Sequence, residues 1–373
     1  MGTSRRNFLQ LATAGAAGAS LLRLPLFASP EPQRNAIVHG SVIMSSNENP
    51  YGPLPSATKA MQEALAKGNR YPFWVYGELS SKIAALNRVN ADQVTVGAGS
   101  TELLCLTAQT FTGPGKNLVL ADPTFEAIAE FAAAAGAEVR KVPLSSDYSH
   151  NLDAMLRRVD ANTGLIYICN PNNPTASVTP ASDLATFLSK VPASATVVLD
   201  EAYHHFAVGS PNYRSFMEAA GDRVVVLRTF SKIYGMAGIR LGYGVASAAT
   251  TKKMAEHRWP IAVNNIAAMG GIASLADETA MLAAAQRNAA DRAEFAKQAT
   301  SRKLKFIPSH ANFFMMETGR PAREMIDAFQ KQGIAIGRPF PPMLEWIRVS
   351  LGLPEENKQF WQAWDEMGNR GIG

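Results

Sequence analysis

The sequence predicts an α/β fold: a large domain built on a mainly parallel seven-stranded sheet between helices, then a smaller C-terminal α/β domain. Three observations carry this expectation. Between residues 93 and 245 short, β-rich and almost wholly apolar runs recur, the pattern of strands buried on both faces. Amphipathic stretches with helical spacing separate several of them, as crossovers between parallel strands require. Past about residue 250 the rhythm changes to an Ala-rich helical segment and a second, shorter alternation of strand and helix.

The strand runs are 93–96, 118–120, 139–142, 165–168, 197–199, 224–227 and 241–245. Ligands of such sheets collect beyond the carboxyl ends of the strands. Polar candidates stand there: Asn173 after the fourth run, Asp200 and Tyr203 after the fifth, Lys232 after the sixth. Residues 266–299 alternate charges on an Ala-rich background and predict one long helix or a pair of helices connecting the domains. Beyond them, 312–316, 334–336 and 346–350 read as strands and 322–331 as a helix.

A chain of 373 residues allows about two domains, and 47% hydrophobic content suffices for a full core. Its 36 basic and 31 acidic side chains leave +5, spread along the chain. No stripe of interleaved aromatic and basic residues suggests nucleic acid, so the expected partners are small molecules. Cys105 and Cys169 stand without a CxxC motif or clustered histidines. No metal site is predicted; both thiols read as packing residues, with mutual pairing the less favoured alternative.

The first thirty residues read separately. Ser4-Arg5-Arg6-Asn7-Phe8-Leu9 precedes a small, apolar stretch to Leu22, with no acidic residue before Glu31. This resembles a twin-arginine export signal and implies a periplasmic protein that meets a membrane only during export. A frayed N-terminal helix is the competing reading, with a cytoplasmic protein if the signal is unused. Cleavage is expected near Ala28, although Leu26 occupies a position where small residues are preferred. Loss of Arg5, Arg6 and Arg23 with residues 1–30 would lower the charge from +5 to +2.

Gly97-Ala98-Gly99-Ser100-Thr101-Glu102 lies between a strand and an apolar helix, where amides and a helix start can hold a phosphate. Taken alone it more simply marks a strand-to-helix turn with Ser100 or Thr101 as N-cap. Cys169-Asn170-Pro171-Asn172-Asn173-Pro174-Thr175 is more specific, because two Asn-Pro steps force a nonhelical exit from a buried strand. Asp200 ends an apolar strand, and a buried carboxylate there calls for a cationic partner such as a protonated pyridine nitrogen. Lys232 follows Val224-Val225-Val226-Leu227-Arg228-Thr229-Phe230-Ser231, with Arg240 eight residues on. A lysine delivered by a buried strand beside hydroxyls and a second cation suits Schiff-base chemistry with a phosphorylated aldehyde cofactor.

Asn172-Asn173-Pro174-Thr175, Asp200-Glu201-Ala202-Tyr203, Thr229-Phe230-Ser231-Lys232 and Gly238-Ile239-Arg240-Leu241-Gly242-Tyr243 follow one another in a distinctive order. From about residue 40 to 360 the chain resembles the fold type I pyridoxal 5'-phosphate aminotransferases. The histidinol-phosphate aminotransferase branch is the nearest, matched also by Asn47-Glu48-Asn49-Pro50-Tyr51-Gly52.

The resemblance implies a ping-pong aminotransferase acting on amino-acid and 2-oxo-acid substrates. Lys232 would form the Schiff base and carry the proton, Asp200 would pair with the ring nitrogen, and Asn173 and Tyr203 would bond the ring oxygen. Arg240, Thr229, Ser231 and the backbone of Ala98, Gly99 and Ser100 would hold the phosphate, and Phe125 would stack on the ring. Arg348 would grip the substrate carboxylate, with Asn49 and Arg338 as further substrate contacts. Tyr71 would reach the cofactor of a second subunit, making a homodimer. The implied organisation is an arm at 31–60 serving the small domain and active site, a cofactor-binding domain at 61–265, and a connector with the small domain at 266–373.

Two departures stand out. Ala176 replaces the glycine that usually ends the Asn-Pro-Thr-Gly motif, implying a φ that alanine adopts readily. The segment before Asn47 lacks the aromatic and proline motif common in the branch, which argues against histidinol phosphate as substrate. His204 and His205 lie near the expected mouth, as substrate contacts or simply as a helix start. Rival functions are another reaction on the same cofactor (decarboxylation, β-elimination or replacement, cyclisation) and a non-catalytic cofactor-binding protein. A nicotinamide dehydrogenase is disfavoured, because no GxGxxG follows the first strand with an acidic residue about twenty positions on.

Overall fold

The computed structural model describes residues 41–259 and 261–369. The predicted export signal and the first part of the predicted arm lie outside them. Seven strands form the main sheet: β2 Val94–Gly97, β3 Asn117–Asp122, β4 Glu138–Pro143, β5 Thr163–Cys169, β6 Thr196–Asp200, β7 Val224–Thr229 and β8 Gly242–Val245. Their order is β2-β8-β7-β6-β5-β3-β4, and only β8 runs against its neighbours. The apolar runs thus mark the strands, and the parallel pairs β3–β4, β3–β5, β5–β6 and β6–β7 have the expected direction. Every residue of β2, β5, β6 and β8 is buried, because helices cover both faces.

The reversed strand brings distant motifs together. Thr229 of β7 pairs with Gly242 of β8, and Gly242 pairs with Gly97 of β2. The β7–β8 loop therefore begins and ends beside the glycine turn that leaves β2. Gly242 has no room for a side chain: a Cβ there would lie 2.4 Å from the Ser100 amide nitrogen.

The segment after residue 264 is a pair of helices, Asn265–Ala276 and Glu278–Ser301, bent by 84°. Asp277 makes the break. Its carboxylate accepts from the Ala280 amide at 3.1 Å and starts the second helix as an N-cap. Gly270 in the first helix permits close packing, since a Cβ there would stand 2.7 Å from Met61 Cγ. The second helix serves two hydrophobic clusters, Ala284 joining the one under the main sheet and Phe295 and Ala299 the other.

That other cluster also holds Met44, Phe314, Phe329, Ile347 and Phe360. Around it lie β9 Phe313–Glu317, antiparallel to β11 Trp346–Ser350, and β1 Val42–Met44, parallel to β10 Ile334–Ile336. The Val42↔Ile334 register stitches the arm to the C-terminal part of the chain. It leads residues 45–47 past the carboxyl ends of the main strands.

Candidate active site

Lys232 is held by its own loop. Phe230, fully buried, anchors it: its amide donates to Leu241 O at 3.0 Å and its carbonyl accepts from the Met236 amide at 3.0 Å. The Thr229 hydroxyl accepts from the Ser231 amide at 3.1 Å. The Lys232 amine then enters a cavity of about 200 Å³ and donates to Ser46 O at 3.1 Å. Desolvation, reinforced by the positive charge of Arg348, pushes its pKa down to about 8.

The same cavity is lined by Asp200, Tyr203, Asn173, Arg348, Phe125, Ser100, Thr229, Ser231 and Arg240. Burial pushes the Asp200 carboxyl up to about 6, against the stabilising hydrogen bonds of the Tyr167 hydroxyl at 2.9 Å and the Ala202 amide at 3.0 Å. Both donors are neutral, so the carboxylate keeps its demand for a cation. The adjacent Glu201 has a different partner, a buried ion pair with Arg228 at 2.9 Å.

Tyr203 accepts from Asn47 Nδ2 at 3.0 Å, which leaves its own hydroxyl proton to donate. Asn47 is clamped in turn: its amide donates to Ser350 Oγ at 2.8 Å, and the Ser350 hydroxyl donates to Asn47 Oδ1 at 3.0 Å. Arg348 donates to Asn173 Oδ1 and to Ser45 O, each at 2.6 Å. The first bond fixes the Asn173 amide with its nitrogen as the remaining donor. Burial pushes Arg348 down to about 10, still charged at neutral pH, and its buried Nε has no hydrogen-bond partner among the described residues.

At the other end, Arg240 adopts the left-handed region at φ 67° and donates to Ala237 O at 2.8 Å and Ser231 Oγ at 3.3 Å. Gly99, at φ 83°, starts the helix Ser100–Phe111, and a Cβ on it would lie 2.2 Å from Arg240 Nη2. The Gly99 amide donates to Gly97 O at 2.8 Å and the Ala98 amide to the Glu102 carboxylate. Ser100 and Thr101, at the helix start, line the cavity.

Other candidates stand apart from this lining. Asn49 does not line the cavity, because Ile233 O accepts from its Nδ2 and its Oδ1 accepts from the Tyr51 amide, both within 3.1 Å. Asn47 stands there instead. Arg338 is outside the lining and ion-paired to Glu126. His204 and His205 begin the short helix His204–Ala207, as the helix-start alternative expected, and line a different cavity against the helix Glu278–Ser301, where they meet the hydroxyls of Tyr213 and Tyr234. Ala176 adopts φ 57°, left-handed, and is held by its amide bond to Asn172 O at 2.7 Å. This conformation costs an alanine about 1–2 kcal/mol.

Tyr71 is 70% exposed, beside the exposed Phe73 and Trp74. Cys169 lines the cavity, and both cysteines are free thiols. Among the described residues no group of three or more His, Cys, Asp or Glu could hold a metal ion. Tyr167, Ser46, Asn47 and Thr101 are among the contributors that sequence reasoning missed. Asn47 and Thr101 fell inside quoted motifs, whereas Tyr167 reads as one more strand aromatic.

The donor set fits pyridoxal phosphate. An amine of lowered pKa suits an aldehyde, a buried carboxylate without a cation suits a protonated pyridine nitrogen, and the Arg240–Gly99 cradle at a helix start suits a phosphate.

Comparisons agree. The family model for aminotransferase class I and II matches residues 40–363. The chain is 35% identical over 341 residues to a histidinol-phosphate aminotransferase of Moorella thermoacetica, covering 90% of this chain and 88% of that one. It is 37% identical to histidinol-phosphate aminotransferase 2 of Pseudomonas aeruginosa, covering 86% and 88%. The crystal structure of the Sinorhizobium meliloti histidinol-phosphate aminotransferase in complex with pyridoxal-5'-phosphate superposes with a TM-score of 0.82 at 26% identity, covering 87% and 90%. The chain belongs to the class I and II aminotransferase family and is a pyridoxal-phosphate-dependent aminotransferase of fold type I.

Proposed function

We propose that the protein moves an amino group between an amino acid and a 2-oxo acid, with Lys232 as the anchoring amine and the proton carrier. One observation carries this reading: Lys232, Asp200 and Arg348 line a single cavity, so the donor and then the acceptor occupy one site. Pyridoxal phosphate, when bound, supplies the electron sink that lets the amino acid lose its Cα proton. Arg240, Ser231 and the helix start at Ser100 and Thr101 would hold its phosphate, and Thr229 shapes the loop that presents Lys232. Asp200 would hold the ring nitrogen, Asn173 and Tyr203 the ring oxygen, and Phe125 a ring face.

Arg348 takes the substrate carboxylate, which orients Cα towards Lys232 Nζ. A pKa near 8 lets that nitrogen take the Cα proton and return it later in the same half-reaction. Tyr203, buried and packed edge-on against Phe313, has its hydroxyl held by a chain of hydrogen bonds through Asn47 to Ser350.

A second copy of the chain completes the active unit. Tyr71 at 70%, Phe73 at 64% and Trp74 at 56% exposure form an apolar surface that suits a protein interface. Tyr71 is then a partner-side contact to the cofactor phosphate. Export to the periplasm is supported by Arg5-Arg6 and the small apolar stretch behind them. Recovery of a periplasmic form beginning near residue 29, against an intact cytoplasmic chain, decides it.

The activity test is a panel of amino donors, histidinol phosphate among them because the relatives carry that name, each offered with pyruvate and with 2-oxoglutarate. Turnover that requires the oxo acid supports the reading. Product formed equally without an oxo acid would overturn it.

A further inference from the structure

A second cavity, of about 540 Å³, backs on to the active one, against one face of the helix Glu278–Ser301. The two share stretches of backbone but no lining side chain: Tyr203 and Lys232 face the active cavity, whereas His204, His205 and Tyr234 face this one. Its volume lies within the range of about 300–1,000 Å³ that small-molecule sites occupy. Leu275, Met281, Leu282 and Val208 supply apolar walls, with Val208 and Leu282 exposed at the rim.

The polar groups are few. His204 Nδ1 meets the Tyr213 hydroxyl at 3.0 Å and His205 Nε2 the Tyr234 hydroxyl at 3.4 Å, so each imidazole uses one ring nitrogen in these bonds. Burial pushes both imidazoles well below their ordinary pKa, and both are neutral. Three charged residues line the cavity, Arg228, Glu278 and Arg292. Arg228 is paired with Glu201 at 2.9 Å, and Glu278 sits in the first turn of its helix, where the dipole favours a carboxylate.

Arg292 differs from both. Its Nη1 donates to two neutral oxygens, Phe206 O at 3.1 Å and Ala311 O at 3.4 Å. Burial lowers its pKa, and among the described residues no carboxylate acts to raise it again. Its charge joins burial in lowering His310. Positions 278 and 292 are roughly 20 Å apart along the helix axis, so Glu278 does not answer this charge.

We propose that this cavity is a second binding site, for a singly charged carboxylate with an apolar body: the carboxylate meets Arg292, and the body runs over Ala289 and Ala285 towards Leu282. The helix His204–Ala207, whose Phe206 carbonyl already holds Arg292, brings neutral hydrogen-bonding imidazoles to the same end. A dianion would leave one charge uncompensated beside a single guanidinium, and an ammonium would be repelled by it.

The test is calorimetry on the cofactor-loaded Arg348→Gln enzyme, a background that weakens carboxylate binding in the active cavity. Octanoate is the probe, with octanol and octylamine as neutral and cationic controls of equal length. Octanoate is expected to bind saturably at one site per chain, about tenfold or more tighter than either control. Adding R292Q should weaken octanoate by about tenfold and leave octanol within about twofold. Adding A289W should abolish binding of octanoate by filling the cavity; Ala289 is an exposed helical position that lines it, so this change leaves the bonds of Arg292 in place. Octylamine bound as tightly as octanoate, or an octanoate affinity unmoved by R292Q or by A289W, overturns the proposal.

Discussion

The Tyr167 hydroxyl donates a 2.9 Å hydrogen bond to Asp200 Oδ2, and both side chains are buried. Tyr167 pairs in register with Val198, two residues before Asp200, so the two side chains are diagonal neighbours on one face of the sheet. The bond favours the ionised carboxylate against the burial that opposes it. Tyr167→Phe is therefore expected to weaken cofactor affinity by roughly tenfold, from a lost bond to a charged group of about 1.5–3 kcal/mol only partly recovered. Fluorescence titration of the apoprotein with pyridoxal phosphate reads it, and a change under about twofold would count against the link.

Asp200 itself separates stability from function. Its native pKa of about 6 lies above the ordinary 3.8, so the native apoprotein holds this proton more tightly than the unfolded chain does. The group's contribution to stability is full below pH 4 and is lost as pH rises through 6. At pH 7.5 Asp200→Asn should raise the melting temperature of the apoprotein by a few degrees and lower turnover of the loaded enzyme by about 100-fold or more. An apoprotein destabilised by the change would refute the assignment.

For Lys232 the pH effect is kinetic. Only the neutral amine attacks an aldehyde, and with a pKa of about 8 its fraction falls tenfold for each pH unit below that value. The rate of covalent cofactor loading, followed by absorbance, should rise to about pH 8 and level off above it. Lys232→Ala should still bind the cofactor noncovalently and lose turnover by about 1,000-fold or more.

Gly99 tests the phosphate cradle. Any Cβ would collide with Arg240 and be strained at φ 83°. Gly99→Ala is expected to weaken pyridoxal phosphate by about tenfold or more while pyridoxal, which has no phosphate, changes by less than about twofold. Equal losses for both would mean general misfolding.

Arg348→Gln removes the charge at the substrate end but keeps hydrogen bonding to Asn173. The expected result is a KM for amino acids raised about 100-fold with a smaller effect on kcat, as lost ground-state binding of a carboxylate predicts. Steady-state kinetics with one good donor suffice.

The recurring β-rich runs by themselves located the seven strands, though not their ends, because strands covered on both faces are nearly continuous in apolar residues; the edge strand β4, Glu138–Pro143, is charged and largely exposed and was legible only by its β-branched residues. Residues just past those ends gather at one edge of a parallel sheet, which is why Asn173, Asp200 and Lys232 were legible as one site. Their order along the chain also made the family legible. The direction of β8 was not: a twelve-residue loop at 230–241 allows either sense, and pairing with Thr229 and Gly97 decided it.

Only the tertiary structure decided who partners whom. It engaged the Ala98 and Gly99 amides within their own turn, set Asn47 on the Tyr203 hydroxyl, made Ala176 left-handed and faced His204 and His205 to another cavity. It placed Tyr167 under Asp200 and engaged Arg338 with Glu126 across 212 positions of sequence. The physical reason is one of range. Burial and strand ends follow from side chains a few residues apart, whereas hydrogen bonds and ion pairs depend on register and packing between segments whose separation in sequence carries no trace of their contact.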